Sequence, residues 1–446
     1  MNKFQNLNKV LDRVVRIFIV ILIGLIFFTF YRSEILYGGL HRDYYLKYYT
    51  FLIFSLFILI IINFLNKKIK LKIYAILISI IIGLYISETL LIDFKNLNSK
   101  TKYQYYLDLK QKQDVVIAVH PFQFILKKIN KKELFPLSGI SKKLTIYCKK
   151  AENKKFVTYE SDRYGFRNED INWDKKNIDF VLLGDSFVQG SCVTSDKTIN
   201  SQLSQISKNK LNEKINTINL GFSGNGPLLE YATLKEYLKY IDAKRVLYFF
   251  YEGNDFPNLH QELKDPFLKK YLDDKFQQKL IKKQTDIDRI NYNLLEQEIK
   301  KRNVGLYDFI KLGKVRSLLG RFLNKKLKLQ SSKSSEKNYK IYNDILINLK
   351  KLTKSQNAEL YFIYLPYISR FSSYDYDQNY EIYSKVMSMV KDLDIKYIDL
   401  LSEIKSEIND PLSMFQLRKH QHLNETGYKF VAETIIQEIN KIEKKN

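Results

Sequence analysis

Cysteine is scarce in this chain: only Cys148 and Cys192 occur among its 446 residues. At most one internal disulfide bridge can form, and it requires an oxidising compartment. Two buried free thiols are the alternative, because the sequence does not show whether the two Cα atoms approach closely enough. We expect the bridge, since both cysteines fall in the part of the chain that is predicted below to be exported.

Acidic residues are too few to balance the basic ones: 48 Asp and Glu face 73 Lys and Arg, which gives a net charge of +25. No nucleic-acid-binding motif accompanies this excess, and the basic residues scatter among Ile, Asn and Tyr without forming one stripe. The residue bias of an AT-rich genome explains the charge more simply, so we expect no nucleic-acid partner. A basic surface favours anionic lipids or acidic glycans as neighbours.

Metal-ligand clusters are also lacking. His420 and His422 are separated by one residue, but no third ligand lies nearby, and this spacing is poor for zinc. We expect neither a metal ion nor another cofactor.

Apolar residues are plentiful, at 45% of the chain, and three uncharged runs crowd into its first fifth: Ile17–Tyr31, Tyr48–Leu65 and Ile73–Ser87. With its flanks each run reaches about 18–20 residues, which is enough for one bilayer crossing at about 1.5 Å per residue. Buried core helices would need polar faces, which these runs lack. No small-residue cleavage site follows the first run, so we interpret it as an anchor and not as a signal peptide.

Basic residues in the short flanks predict the orientation of these helices. Four precede the first run and four lie in the short loop before the third, whereas the first loop dilutes three basic residues with two acidic ones. This distribution predicts a multi-pass protein of the cell membrane with a cytoplasmic N-terminus. Three crossings then place the chain after about Asp93 in the periplasmic or extracellular space.

The rest of the chain is predicted to contain a lead-in segment, 94–154, packed on an α/β domain, 155–446. Most of the predicted strands are continuous apolar runs, as parallel strands covered on both faces require. Helical patterns between them imply right-handed crossovers and a three-layer α/β/α domain. The predicted strands are Ile178–Leu183, Ile215–Leu220, Val246–Tyr251, Leu360–Leu365 and Tyr397–Leu400.

A helical insertion of about 258–354 separates the third strand from the fourth. Its Ser-rich stretch, 331–335, is expected to be a flexible loop. Just before it, apolar residues at helical spacing are flanked by basic ones. We favour a helix packed on its own domain with a solvated basic side; a helix on an anionic membrane surface is the alternative. The apolar residues are Leu306, Phe309, Ile310, Leu318, Leu319, Phe322 and Leu323.

Polar residues follow the predicted strands at the carboxyl ends, where the ligands and catalytic groups of doubly wound sheets gather. Gly-Asp-Ser, ending at Ser186, follows the first strand, and a glycine-rich loop around Gly224 follows the second. Gly-Asn-Asp, with Asn254 at its centre, follows the third, and His422 precedes the last helix. We therefore expect Ser186, Gly224, Asn254 and His422 to converge on one edge of the sheet.

Each of these residue types suits one step of acyl transfer. A serine hydroxyl is a weak nucleophile until a neighbouring imidazole takes its proton, a role open to His422. The oxyanion of a tetrahedral intermediate needs fixed donors, which the backbone N–H groups of Ser186 and Gly224 and the amide of Asn254 can supply. Glycine at 224 lets the backbone approach that oxygen without a Cβ.

At these residues the chain resembles the SGNH/GDSL hydrolase superfamily, whose four blocks carry Ser, Gly, Asn and His in this order. The resemblance covers about residues 155–445. It implies a flavodoxin-like α/β/α fold and a catalytic set of Ser186, Gly224, Asn254 and His422. The stretch 160–168 also resembles the lead-in of a bacterial subgroup found among cell-envelope and polysaccharide functions.

One departure from the family pattern concerns the histidine. Members commonly carry an Asp two or three residues before it, where this chain has His420 and Lys419. Asp410, a backbone carbonyl, or nothing is then left to orient His422. Loss of the orienting acid costs about 10⁴ in turnover in a serine protease triad.

The sequence thus predicts a serine-dependent O-acyl ester hydrolase or O-acyltransferase outside the cytoplasm. Its expected partners are the lipid bilayer and an acylated envelope glycan or lipid as substrate. A non-catalytic glycan-binding or assembly protein on the same scaffold is the alternative, which the missing Asp favours and the four intact blocks oppose.

Overall fold

The computed structural model describes residues 2–36, 39, 42–91, 100–127, 134–150, 152–211, 215–302, 309–320, 336–371 and 380–444. The chain forms two compact units. The membrane unit comprises Met1–Asp93 and Leu306–Arg321, and the α/β unit comprises Phe94–Gly305 and Phe322–Asn446. The chain passes between the two units three times, because Leu306–Arg321 returns to the first of them.

Three long helices make up the first part of the membrane unit: α1 (Asn2–Phe30), α2 (Arg42–Phe64) and α3 (Lys67–Leu90). A π-helical turn, Tyr31–Leu36, extends α1. The stretches long and apolar enough to cross a membrane are Val15–Ile35, Tyr45–Ile62 and Lys68–Leu90. The three apolar helices expected from the sequence are therefore confirmed.

The amphipathic segment of the insertion does not follow the interpretation that we favoured. Its described part, 309–320, belongs to the membrane unit and not to the α/β domain on which we expected it to pack. The physical reason is a pair of polar contacts from Tyr85 and Glu88 of α3, analysed in the last part of these Results. Leu306, Phe322, Leu323 and the Ser-rich stretch 331–335 lie outside the described residues.

The α/β unit contains two sheets and the helices that cover them. Its strands are β1 (Val115–Ile117), β2 (Leu144–Lys149), β3 (Phe156–Glu160), β4 (Ile178–Leu183), β5 (Thr217–Asn219), β6 (Ala243–Tyr251), β7 (Glu359–Leu365) and β8 (Lys396–Asp399). Its helices are α4 (Lys102–Lys110), α5 (Phe122–Leu126), α6 (Ser186–Gln189), α7 (Ile199–Leu211), α8 (Pro227–Tyr237), α9 (Asp255–Glu262), α10 (Gln284–Arg302), α11 (Glu336–Ser355), α12 (Tyr380–Asp392), α13 (Leu400–Glu407) and α14 (Glu425–Lys444).

The main sheet has five strands in the order β5-β4-β6-β7-β8, and every pairing is parallel. This is the flavodoxin-like order, 2-1-3-4-5 when the five strands are numbered along the chain. All five predicted strands are present, and the doubly wound α/β/α fold is confirmed. Because the strands are parallel, β4, β5 and β6 release their following loops at the same edge.

Helices cover both faces of this sheet, which explains the continuous apolar runs. Along β6, Val246, Tyr248 and Phe250 enter one core, while Leu247, Phe249 and Tyr251 enter the other. Helices α8 and α11 contribute to the first core, and α7, α13 and α14 contribute to the second. Successive side chains of a strand point to opposite faces, so a strand buried on both faces must be apolar throughout.

The lead-in forms a small accessory sheet that the sequence analysis did not predict. Strand β2 pairs in parallel with β1 and antiparallel with β3. Its apolar residues, including Val115 and Ile146, join the first core of the main sheet. These strands are short and lack clear alternation, so no period in the sequence distinguished them from loop.

A disulfide joins this accessory sheet to the loop after α6. The bridge links Cys148 of β2 to Cys192, whose Cα atoms are 5.6 Å apart. The pairing considered in the sequence analysis is therefore present. It connects the lead-in covalently to the segment that follows the candidate nucleophile.

We predict that replacing both cysteines, Cys148→Ser with Cys192→Ser, lowers the free energy of unfolding by about 2–4 kcal/mol, because the bridge closes a loop of 44 residues in the unfolded chain. Denaturant unfolding of the full chain in detergent measures this loss. The exposed substitution Ser388→Ala is the control. An unchanged unfolding midpoint, or ready alkylation of both thiols in unreduced protein, would contradict the prediction.

Candidate active site

Ser186 stands at the start of α6, directly after the end of β4. The Oδ1 atom of Asp185 accepts a hydrogen bond of 2.9 Å from the backbone N–H of Phe187 and so caps this short helix. Gly190 ends the helix in the left-handed region, with φ of 82°, where a Cβ would meet the Thr198 side chain. The turn therefore holds Ser186 at the carboxyl edge of the sheet.

His422 lies within hydrogen-bond distance of this serine. Its Nε2 atom is 2.8 Å from Ser186 Oγ, although 236 residues separate the two in the chain. The ring packs against Phe187, with centroids 5.1 Å apart. Gln416 ties the histidine loop to the serine loop, because its side-chain amide donates to the carbonyls of both Leu423 and Ser191.

Asn254 reaches the same place through a shared carboxylate. Its Nδ2 donates to Asp185 Oδ2 at 3.2 Å, and Ser186 Oγ is also 3.2 Å from that oxygen. Burial raises the pKa of Asp185, while donors from Phe187, Asn254 and Ser186 act in the opposite direction. A buried carboxylate is tolerated when it is hydrogen-bonded in this way. One of the two amide hydrogens of Asn254 thus remains for another acceptor.

Gly224 lies in the loop after β5, which follows the same edge. The Phe222 N–H donates to the carbonyl of Gly184 at 3.2 Å, so this loop runs beside the serine turn. Gly224 has φ of +81°, and a Cβ there would come within 3.3 Å of Phe122. Among the described residues its backbone N–H has no hydrogen-bond partner. Both features suit a donor reserved for a ligand.

No acid was found to orient the imidazole. Asp410, one of the candidates considered above, is exposed and forms an ion pair with Arg418 at 2.6 Å, so it does not serve His422. Within the described ranges no carboxylate is hydrogen-bonded to either nitrogen of this ring. His420 is exposed, and it supplies positive charge, not negative.

Comparison with known proteins returned no matching family model and no matching curated protein. Solved esterase structures are similar to the chain. They include an acetyl xylan esterase, AlAXEase (12% identity, 58% of this chain and 98% of that chain, TM-score 0.35), and a lipase/acylhydrolase from Enterococcus faecalis (12%, 59% and 95%, 0.33). An acetylxylan esterase from Geobacillus stearothermophilus is similar as well (13%, 59% and 94%, 0.33).

At such low identity and TM-score, the fold assignment rests on the chain itself: the strand order, and Ser, Gly, Asn and His blocks that follow β4, β5, β6 and precede α14. Its architecture is that of an SGNH hydrolase.

Arg167 supports the serine turn of this SGNH fold, and sequence reasoning missed it. Its guanidinium is buried and donates to the backbone carbonyls of Gln189, Gly190 and Val193. It also lies over the rings of Tyr147 and Tyr159, 5.7 and 5.0 Å from their centroids. The sequence placed Arg167 in the stretch 160–168 but gave no sign of what it contacts.

Glu262 and Asn258 hold the Gly224 loop, and sequence reasoning missed them too. Glu262 accepts hydrogen bonds from the backbone N–H groups of Gly226, at 2.6 Å, and Leu228, at 3.0 Å. The Asn258 amide donates to the carbonyl of Gly224 at 3.1 Å. Both belong to α9, which begins directly after Asn254. One helix therefore positions both candidate oxyanion donors, the Gly224 loop and Asn254.

The electrostatics of Glu262 depend on these donors. Burial raises its pKa to about 8, and the N–H groups of Gly226 and Leu228 oppose that shift. Two acceptor oxygens face two backbone donors, so the ionised form fits the loop. A Gln side chain would turn an NH₂ group toward one of those N–H groups.

We predict that Glu262→Gln lowers kcat on the order of 10- to 100-fold with little change in KM, because a displaced donor loop weakens binding of the transition state but not of the substrate. Steady-state hydrolysis of an aryl acetate by the full chain measures this split. Glu407→Gln, an exposed substitution on α13, is the matched control. A rise in KM with unchanged kcat would show that the loop contributes only to substrate binding.

The pH dependence follows from His422. Burial, with a smaller contribution from the charge of His420, lowers the pKa of His422 to about 4 from an ordinary 6.5. The neutral imidazole is the base, so activity is retained above that pKa and lost as the pH falls through it. We predict an acid limb of kcat/KM near pH 4, measured with an aryl acetate. An acid limb at pH 6.5 in folded protein would refute it, and circular dichroism at each pH checks the fold.

Proposed function

We propose that this protein is a serine-dependent enzyme that acts on O-acyl esters, as a hydrolase or an O-acyltransferase. The observation that carries the proposal is the 2.8 Å contact between Ser186 Oγ and His422 Nε2 at the carboxyl edge of the sheet. A hydroxyl and an imidazole at this distance form the pair that nucleophilic acyl chemistry requires.

In the proposed mechanism Ser186 Oγ attacks the ester carbonyl while His422 Nε2 takes its proton. The Gly224 N–H and the remaining amide hydrogen of Asn254 stabilise the oxyanion. His422 then donates its proton to the leaving alcohol, and an acyl-enzyme remains on Ser186. Water, or the hydroxyl of an acceptor, loses a proton to His422 and attacks this ester. The choice between water and acceptor decides between hydrolysis and transfer.

For substrate and location we propose an acylated envelope glycan or lipid outside the cytoplasm. Two observations support this part of the proposal. The three spans follow a basic N-terminal flank, which favours a cytoplasmic N-terminus and an exported α/β unit. The Cys148–Cys192 bridge suits an oxidising compartment.

A non-catalytic glycan-binding or assembly role is the second candidate. The absence of a carboxylate partner for His422 among the described residues favours it, since an unoriented imidazole is a poor base. The buried hydrogen-bond network at Asp185 favours the enzyme, because binding alone does not need a serine so placed.

We predict that a fluorophosphonate probe labels the wild-type chain covalently and that Ser186→Ala removes the labelling. The probe needs an activated hydroxyl, and Ser186 is the one placed 2.8 Å from an imidazole. In-gel fluorescence and mass spectrometry of the labelled peptide provide the measurement. Ser191→Ala, in the neighbouring loop, is the control. Labelling that persists in folded Ser186→Ala protein would refute the assignment of the nucleophile.

The same probe separates the two histidines. His422→Ala should slow labelling by several orders of magnitude, because Ser186 then lacks a proton acceptor. His420→Ala should have a far smaller effect, since that side chain is exposed. If His420→Ala proves equally damaging in folded protein, the two histidines act together and the assigned roles are wrong. Absence of labelling in the wild type would favour the non-catalytic role.

A further inference from the structure

The third membrane helix carries a carboxylate that neither the spans nor the candidate active site explains. Glu88 lies in the last turn of α3 and is only 2% exposed. Its Oε1 accepts a hydrogen bond of 2.9 Å from the backbone N–H of Lys314, and its Oε2 accepts one of 2.9 Å from Val315. A carboxylate at the first N–H groups of a helix satisfies donors that have no partner within that helix.

Tyr85, one turn earlier on the same face of α3, makes a second contact with the same segment. Its hydroxyl donates to the carbonyl of Ile310 at 2.9 Å. Its ring packs against Phe309, with centroids 5.6 Å apart. Residues three apart on a helix share a face, so Tyr85 and Glu88 form one docking surface for residues 309–320. We refer to these residues as the docked segment.

The helical part of the docked segment, 313–320, is amphipathic in a particular way. At about 100° per residue, Val315, Leu318 and Leu319 form an apolar arc about 100° wide. Lys314 and Arg316 flank this arc on its two sides. Gly313, Ser317 and Gly320 occupy the opposite face. An apolar face bordered by basic residues is the pattern of helices that lie in a membrane interface.

Exposure within the membrane unit agrees with this arrangement. Val315 is 9% exposed, whereas Leu318 and Leu319 remain 44% and 52% exposed beside it. Ile310 is 56% exposed. Apolar side chains that no protein neighbour covers need another apolar environment, and the adjoining helix is itself a membrane span, Lys68–Leu90.

The depth of the contact points to the headgroup layer. Glu88 lies two residues before the end of that span, which is about 3 Å along a helix axis. A segment bound there meets the boundary between acyl chains and headgroups, where apolar residues can enter the bilayer while Lys and Arg extend to phosphates.

We propose that the docked segment is an interfacial helix, bound to the end of α3 by Tyr85 and Glu88, whose partner is the anionic phospholipid surface. Leu318 and Leu319 enter the acyl boundary, and Lys314 and Arg316 bind lipid phosphates. The insertion of the α/β unit thereby gives the chain a second membrane attachment beyond the spans. This inference does not depend on the proposed enzymatic function.

The test uses the full chain in nanodiscs made of equal parts phosphatidylglycerol and phosphatidylcholine. Because Cys148 and Cys192 form a disulfide, a single added cysteine can be labelled selectively with a polarity-sensitive fluorophore. Leu319→Cys places the label on the apolar arc, and Ser317→Cys, on the opposite face, is the matched control. Lipids with a nitroxide near the headgroup end of the acyl chain quench labels at the interface.

We expect nitroxide lipids to quench the label at 319 about fivefold or more above the label at 317, since only the apolar face enters the bilayer. Equal quenching at the two sites would overturn the proposal. A label at 319 with blue-shifted emission but no quenching by lipid would also overturn it, because the face would then be covered by protein.

Two further variants test the parts of the contact. Adding Glu88→Ala to Leu319→Cys should reduce the quenching to the level of the 317 control, whereas Glu34→Ala, at the other end of the preceding loop, should not. Lys314→Gln with Arg316→Gln should remove the increase in quenching between pure phosphatidylcholine and the mixed discs. If quenching is the same in both lipid compositions for the parent variant, the anionic surface is not the partner.

Discussion

Strand β4 lies between β5 and β6, and all three run in the same direction. This pairing places the ends of the three strands at one edge, so the residues that follow them must meet there. The Ser186 turn, the Gly224 loop and Asn254 are the residues in question. A shift of one residue in any pairing would turn that strand's side chains to the opposite core. The apolar residues on both faces therefore fix the register, and through it the site.

Buried polar groups then adjust what the register only approximates. The Asp185 carboxylate connects Ser186 to Asn254, and Glu262 binds the Gly224 loop from the helix that follows Asn254. Such carboxylates would be costly to bury without donors. Each is surrounded by N–H and O–H groups of the loops that it holds. The cost of burial and the order of the site thus have the same origin.

The accessory sheet extends this support to the far side of the serine turn. Arg167 donates to three backbone carbonyls of the turn, and the Cys148–Cys192 bridge joins the following loop to β2. A bare α/β sheet would leave those carbonyls without protein partners. The lead-in is therefore a structural part of the candidate site as well as the connection to the membrane unit.

The sequence by itself determined the three apolar helices, the five parallel strands and the four blocks at their ends, because each depends on local composition and period. It did not predict β1, β2 and β3, which are too short to show a period, nor the roles of Arg167, Asn258 and Glu262. Those side chains act on residues distant in the chain, and no local pattern records such contacts. The docked segment shows the same limit: its amphipathic period was visible, but only the contacts with Tyr85 and Glu88 decided which unit it joins. Likewise the sequence offered Asp410 as a partner for His422, and the tertiary structure gave that carboxylate to Arg418, because only folding decides which charges are neighbours.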